Sequence, residues 1–373
     1  MIYLDCAATS MHKPRTVQKA INRAMATMAS PGRGCHRPAM LAADCVLDTR
    51  ILLADYFNVG EPENVIFTSS ATHALNIAIN SLVNSGDNVV ISGYEHNSVT
   101  RPLRGLNASL SVASSPLFSP LEAVSAFEQQ LDKADCAVCT YVSNVFGYIL
   151  PIKEISALCK KRGVPLIIDA SQAAGVLSID LLGLDAAFVA MPGHKGLLGP
   201  QGTGVLLCNS ETRPVLFGGT GSNSASDSMP DFLPERLEAG THNVSGIAGL
   251  YEGVKFIISR SEKTLLDHER KLRELFTQLV SPIPELEIFI SDDPEMQTGV
   301  LSLRSDRLSS DELAERLGSA GICIRSGLHC SPSAHETAGT LESGTARFSF
   351  SPFNTAAEVR CAANAMIKIF NNM

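Results

Sequence analysis

From about residue 60 to residue 210, short apolar runs alternate with longer stretches of helical period. Asn64–Thr68, Asn88–Ser92, Ala137–Val142, Pro165–Asp169, Ala186–Met191 and Gly204–Cys208 have the length and β-branched content of buried strands. Between them, Ala71–Val83, Pro120–Leu131 and Ile152–Arg162 read as helices, the second with Ser119 placed to cap it. This βαβ rhythm predicts an α/β fold with a mostly parallel, doubly wound sheet. Ligands of such sheets bind beyond the carboxyl ends of the strands.

The rhythm then stops. Gly218–Asp231 is rich in Gly, Ser and Asn and reads as a long exposed loop, a length usually kept for function. Gly246–Leu279 reads as one long helix. The last third, Leu286–Met373, carries its own strand and helix signals, including a helix at Ser309–Ala320, and predicts a smaller second domain.

Composition narrows the functional classes. The chain has 373 residues, 45% hydrophobic and 18% charged, as expected for a folded enzyme with a large core. A net charge of −8 with no basic patch argues against nucleic acid or a membrane surface as partner. No apolar run is long enough to span a bilayer, and the opening residues do not have the pattern of a signal peptide. Ten scattered cysteines, several in apolar segments, suggest reduced thiols and a cytoplasmic setting. Cys136 and Cys139 form a C-x-x-C, but on a strand that spacing sends the thiols to opposite faces, so both are expected in the core.

The chemistry is concentrated at strand ends. Lys195 follows the Ala186–Met191 run among Gly193, Gly196 and Gly199, and Asp169 ends the Pro165–Asp169 run. Pyridoxal phosphate (PLP) needs such a pair: a lysine for its aldehyde and a carboxylate for its ring nitrogen. Alone, each would read as a loop lysine or a helix-capping aspartate; the pair, with the loops below, favours the cofactor. Thr68-Ser69-Ser70-Ala71-Thr72-His73 joins a strand to a helix, where free backbone N–H groups favour a phosphate or merely an ordinary cap. His96, after the next strand, could lie on the cofactor ring and relay protons. Asn144 and Gln172 also follow strands, and either could reach a cofactor oxygen or serve as a turn residue.

Taken together, Asp169-Ala170-Ser171-Gln172-Ala173, Gly193-His194-Lys195, Glu95-His96 and Arg325-Ser326-Gly327-Leu328-His329-Cys330 resemble the class-V, fold-type I PLP enzymes. The resemblance is greatest to their cysteine desulfurase and selenocysteine lyase branch. It runs from Tyr3-Leu4-Asp5-Cys6-Ala7-Ala8 to Arg347-Phe348-Ser349 and implies a large domain with a mostly parallel, seven-stranded sheet flanked by helices, plus a smaller α+β domain. We expect residues 15–255 to form the large PLP-binding domain, and 1–14 with 256–373 the small one.

The resemblance also implies roles. Lys195 would hold the cofactor and move the substrate α-proton. Asp169 would pair with the ring nitrogen, and His96 would stack on the ring. Ala71, Thr72 and His194 would hold the phosphate, with Thr241 reaching the phosphate in the partner subunit of a homodimer. Asn144 and Gln172 would contact the cofactor oxygen, and Asn144, Arg325 and Arg347 the substrate. Cys330 would take the sulfur of L-cysteine as a persulfide, for delivery to a sulfur-acceptor protein. No metal is implied. Neighbouring His329 and Arg325 are suited to activating the Cys330 thiol.

Three positions depart from the family pattern. Pro192 stands where Ser or Thr is usual, His73 where Glu is usual, and Cys35 lies in a glycine-rich segment, where a small buried residue is the simpler reading. Other substrates remain open on the same scaffold: selenocysteine, cysteine sulfinate, or that of another class-V aminotransferase or lyase. A non-enzymatic relay protein is a further alternative.

Overall fold

The computed structural model describes every residue except Arg33, Asn223, Ser224 and Met373. A short strand, β1 (Ile2–Tyr3), is followed by helices Arg15–Thr27 and Arg37–Phe57. Seven strands then build the main sheet: β2 (Val65–Thr68), β3 (Asn88–Ser92), β4 (Ser109–Ala113), β5 (Cys136–Thr140), β6 (Leu166–Asp169), β7 (Phe188–Pro192) and β8 (Gly204–Cys208). Their spatial order is β2-β8-β7-β6-β5-β3-β4. The pairs from β7 through β6, β5 and β3 to β4 are parallel, while β8 runs antiparallel to both β7 and β2. This is the expected α/β fold with a mostly parallel seven-stranded sheet.

Both faces of the sheet are covered, which explains the near-continuous apolar runs. On β7, Phe188 and Ala190 pack on one side, Val189 and Met191 on the other. Cys136 and Cys139 of β5 fall into opposite layers, as their spacing required. Each fully buried Phe or Leu in these layers contributes roughly 1.5–3 kcal/mol.

The sheet order sets the position of the site. Strand β4 lies on one side of β3 and β5 on the other, so the chain switches direction between β3 and β5. A crevice opens at such a switch point, beyond the carboxyl ends. His96 follows β3 and Asn144 follows β5, one on each side of it.

Strands β9 (Leu286–Phe289), β10 (Val300–Ser305), β11 (Ile322–Cys323), β12 (Arg325–Gly327) and β13 (Thr345–Ser349) complete the fold. An antiparallel sheet, β12-β13-β10-β9, packs on helices Glu262–Val280 and Ala356–Asn371, while β11 pairs with β1. Its core contains Leu4, Phe276, Leu301, Phe348 and Met366.

The structure corrects several local expectations. Gly246–Leu279 is two helices, Val244–Arg260 and Glu262–Val280, broken at Ser261. Ser261 has a left-handed φ of 65° and caps the second helix by accepting the Thr264 N–H. Ser119 occupies the cap position before Pro120, but its side chain makes no capping bond. Cys35 is exposed, not buried. The described residues of Gly218–Asp231 form an irregular segment without helix or strand; Asn223 and Ser224 lie outside the described residues.

The turn after Asp169 packs closely on the lysine loop. A Cβ at Gly196 would collide with the Ala174 carbonyl oxygen, a backbone atom that cannot swing away. Gly196→Ala should therefore cost on the order of 1–3 kcal/mol in a urea unfolding titration and displace the Lys195 loop. An unchanged midpoint would show that this close approach is not needed.

Candidate active site

Lys195 leaves the end of β7 on a loop stabilised by Gly199 N–H donating to Gly193 O (2.7 Å) and Leu198 N–H to Lys195 O (3.0 Å). Among the described residues its amine has neither hydrogen bond nor ion pair. Burial pulls its pKa from 10.5 down to about 8; Asp169 pushes it back up, and Arg347 and Arg325 reinforce the fall. Asp169 is 2% exposed at the end of β6. Its Oδ1 accepts the Ser171 N–H (2.9 Å), and its other oxygen makes no hydrogen bond among the described residues.

The turn from Thr68 to His73 opens a helix. Ser70 caps helix Ala71–Leu82 by accepting the His73 N–H, and the Ala71 and Thr72 N–H groups stay free of protein partners among the described residues. His73 folds back, so that the Ser69 N–H donates to its Nδ1 (3.4 Å), and burial keeps the ring neutral by lowering its pKa. His194 Nδ1 lies 3.0 Å from Thr9 Oγ1, and burial draws its pKa to about 4. Pro192 ends β7 opposite Gly204, where it offers neither hydroxyl nor N–H. Thr241 is exposed and lines a cavity of about 340 Å³ with Ser69 and His73 of the same chain.

His96 meets the Cys330 loop at the switch point. The Asn97 N–H, one residue after His96, donates to the Cys330 carbonyl at 2.8 Å. Cys330 is exposed and, like His329, has a left-handed backbone (φ 59° and 50°). Asn144 secures this turn: its Nδ2 donates to His329 O (2.9 Å), and its Oδ1 accepts the Ser331 hydroxyl (2.6 Å). Both ends of the Asn144 side chain are thus engaged with the Cys330 loop. Gln172 likewise donates to Ala7 O (2.9 Å). His329 is buried with Nε2 3.1 Å from Thr345 O; burial, helped by Arg347 and His335, lowers its pKa to about 2. It is therefore a neutral structural group rather than a cationic activator of Cys330.

Arg325 and Arg347 stand directly opposite each other on β12 and β13. Like charges so placed repel, and an anion between them relieves the repulsion. Arg347, 2% exposed, donates to Asn144 O (2.8 Å) and pairs with Asp5 (2.8 Å), while its buried Nε has no partner among the described residues. Asp5 shows that this guanidinium can hold a carboxylate.

Sequence reasoning missed Asp5 and Glu269. Glu269 lines a cavity of about 50 Å³ with Lys195, Cys6, Gln172 and Ser351. It is 9% exposed with no hydrogen-bond partner among the described residues, and burial raises its pKa to about 8. A clue was available: Leu266, Glu269, Arg270 and Arg273 fall at core-facing spacing on one helix.

The donor set fits pyridoxal phosphate: a free amine, a carboxylate oxygen without a partner, and open N–H groups at a helix start. A family model described as aminotransferase class-V matches residues 2–361. The chain belongs to this family. Its class-V relatives include a probable cysteine desulfurase of Methanothermobacter thermautotrophicus, 30% identical over 99% of this chain and 94% of that protein. A cysteine desulfurase of Cronobacter sakazakii is 26% identical, covering 99% and 93%. The apo cysteine desulfurase of Thermococcus onnurineus superposes with a TM-score of 0.92 at 28% identity, covering 100% and 95%.

Two outcomes follow for this class-V site. The rate of covalent PLP uptake by the apo-protein should rise with pH to a half-maximum near 8, where Lys195 loses its proton. Because Asp169 raises that pKa, Asp169→Asn should move the midpoint lower; a wild-type midpoint near 10.5 would contradict the burial argument. Glu269 has a folded pKa of about 8, above its unfolded 4.5, so the native state holds its proton longer. Its contribution is complete below pH 4.5 and is lost as pH rises toward 8. Glu269→Gln should thus gain about 1–3 kcal/mol over wild type above pH 8 and nothing near pH 4.5, as read by thermal unfolding. A gain equal at both pH values would refute this.

Proposed function

We propose that the protein is a PLP-dependent cysteine desulfurase that converts L-cysteine to L-alanine and holds the sulfur on Cys330. One observation carries this reading: the Asn97 N–H to Cys330 carbonyl bond, which brings the only exposed cysteine of the site next to His96. A simple amino-group transfer on this scaffold has no step for that thiol.

When bound, PLP would act as an electron sink for the substrate α-carbon. Asp169 would hold its ring nitrogen, Ala71, Thr72 and His194 its phosphate, and Lys195 its aldehyde carbon. Thr241 would reach the partner subunit's phosphate. The substrate carboxylate would replace Asp5 on Arg347, with Arg325 adding positive field. Lys195, neutral above about pH 8, would take the α-proton. The Cys330 thiolate would attack the substrate sulfur: the S–S bond forms, the Cβ–S bond breaks, and its electron pair stays on Cβ, which takes up a proton to become the methyl of alanine. An acceptor thiolate would then attack the outer sulfur, forming a new S–S bond on the acceptor and returning the Cys330 thiolate, and a sulfur-acceptor protein is the partner we infer.

We further infer two domains, 15–255 and 1–14 with 256–373, and a homodimer. Leu47, half exposed on helix Arg37–Phe57, lines a groove of about 450 Å³ with Thr220, Pro234 and Thr241, a surface suited to a second copy.

Purified protein with PLP, L-cysteine and a dithiol reductant to release the sulfur should yield alanine and sulfide, and Cys330→Ala should lose both by at least about a hundredfold while still binding PLP. Alanine production that survives the substitution would sink the Cys330 mechanism. PLP binding without any turnover of cysteine would favour selenocysteine, cysteine sulfinate or another amino acid as substrate.

A further inference from the structure

The helix Asn97–Gly105 begins on a histidine cap. Cap acceptors are usually Ser, Thr, Asp or Asn oxygens. Here the acceptor is a ring nitrogen: the Ser98 N–H donates to His96 Nδ1 at 3.0 Å. A backbone N–H can only donate, so Nδ1 must present its lone pair. In a neutral imidazole the proton then resides on Nε2. The ring is neutral: burial pulls its pKa to about 4, with Asp169 opposing the fall and Lys195, Arg325 and Arg101 adding to it.

The Ser98 hydroxyl extends this arrangement. Its Oγ lies 2.9 Å from the same Nδ1 and 2.8 Å from Thr72 Oγ1. Because Nδ1 accepts, the consistent pattern has Ser98 O–H donating to Nδ1 and Thr72 O–H donating to Ser98. The chain runs from the phosphate cradle to the ring. An anion in the cradle that accepts the Thr72 O–H hydrogen bond would leave both donors to Nδ1 in place.

We propose that Ser98 is a positioning residue for His96: it holds the ring as the Nε2–H tautomer and ties its orientation to Thr72. His96 therefore faces the reacting atoms as a hydrogen-bond donor and cannot accept a proton at Nε2. Proton removal falls to Lys195, and donation toward developing negative charge falls to His96. A neutral histidine donor of this kind is a known solution to stabilising such charge. The division of labour rests on the desulfurase reading; the tautomer is a property of the chain itself.

The test is nitrogen NMR of full-length protein labelled in its nine histidines, with and without PLP, the His96 signals being those missing from His96→Gln. Wild type should show a lone-pair Nδ1 and a protonated Nε2, unchanged from about pH 6 to 9. Ser98→Ala should lower kcat for L-cysteine on the order of tenfold with KM little changed, and Ser98→Thr should restore it. A protonated Nδ1 in wild type overturns the proposal. So does a Ser98→Ala enzyme with wild-type kcat, or a loss that Thr does not rescue. A protein with the expected tautomer but no turnover of cysteine would fail the desulfurase reading and not this one.

Discussion

The site depends on keeping one amine unpaired beside a carboxylate. Lys195 feels the field of Asp169 without a contact to it, which leaves one carboxylate oxygen open, as the proposed ring-nitrogen partner would need. The sheet enforces the separation. Asp169 ends β6 and Lys195 comes three residues beyond β7, its parallel neighbour, so both reach the same edge from adjacent strands. Asp169 is held by the Ser171 N–H, and Lys195 by a loop whose glycines allow backbone to pass close to backbone. Arg347 and Arg325 then tip the balance toward the neutral amine.

The Cys330 loop is a second balance. Two successive left-handed residues that are not glycine, His329 and Cys330, cost on the order of 1–3 kcal/mol each. The hydrogen bonds from Asn97, Asn144 and His329 that hold the turn contribute roughly 0.5–1.5 kcal/mol each. The terms are comparable, so the turn persists because it is latched to the large sheet on one side and to β13 on the other. The latch presents the thiol outward while the histidine beside it stays buried and neutral. The role of His329 is thus to support the backbone.

Much of this was legible in the sequence, and the exceptions have physical causes. The parallel strands were readable because burial on both faces makes them apolar throughout. The lysine and aspartate were readable only as a pair, since each alone passes for a loop or cap residue. The antiparallel placement of β8 was not, since strand direction leaves no mark on composition. Helix Arg37–Phe57 is blurred because it buries Ala42, Val46 and Leu53 yet exposes Met40, Leu47 and Ile51. The helix break at Ser261 turns on one residue's φ, which a serine among helix formers does not announce. Asn144 and Gln172 were visible as strand-end polar residues, but their present partners, the Cys330 loop and Ala7, are distant in sequence. The same is true of Asp5 on Arg347, 342 positions apart.

The most direct test of the account is to find where the sulfur goes. After brief exposure of the PLP-loaded protein to L-cysteine, alkylation and peptide mass spectrometry would locate any cysteine that carries an extra sulfur atom among the ten present. The account requires it on Cys330 and not on the other exposed thiols, Cys35 and Cys361. Alanine formed without sulfur on Cys330, or with sulfur on another cysteine, would contradict it.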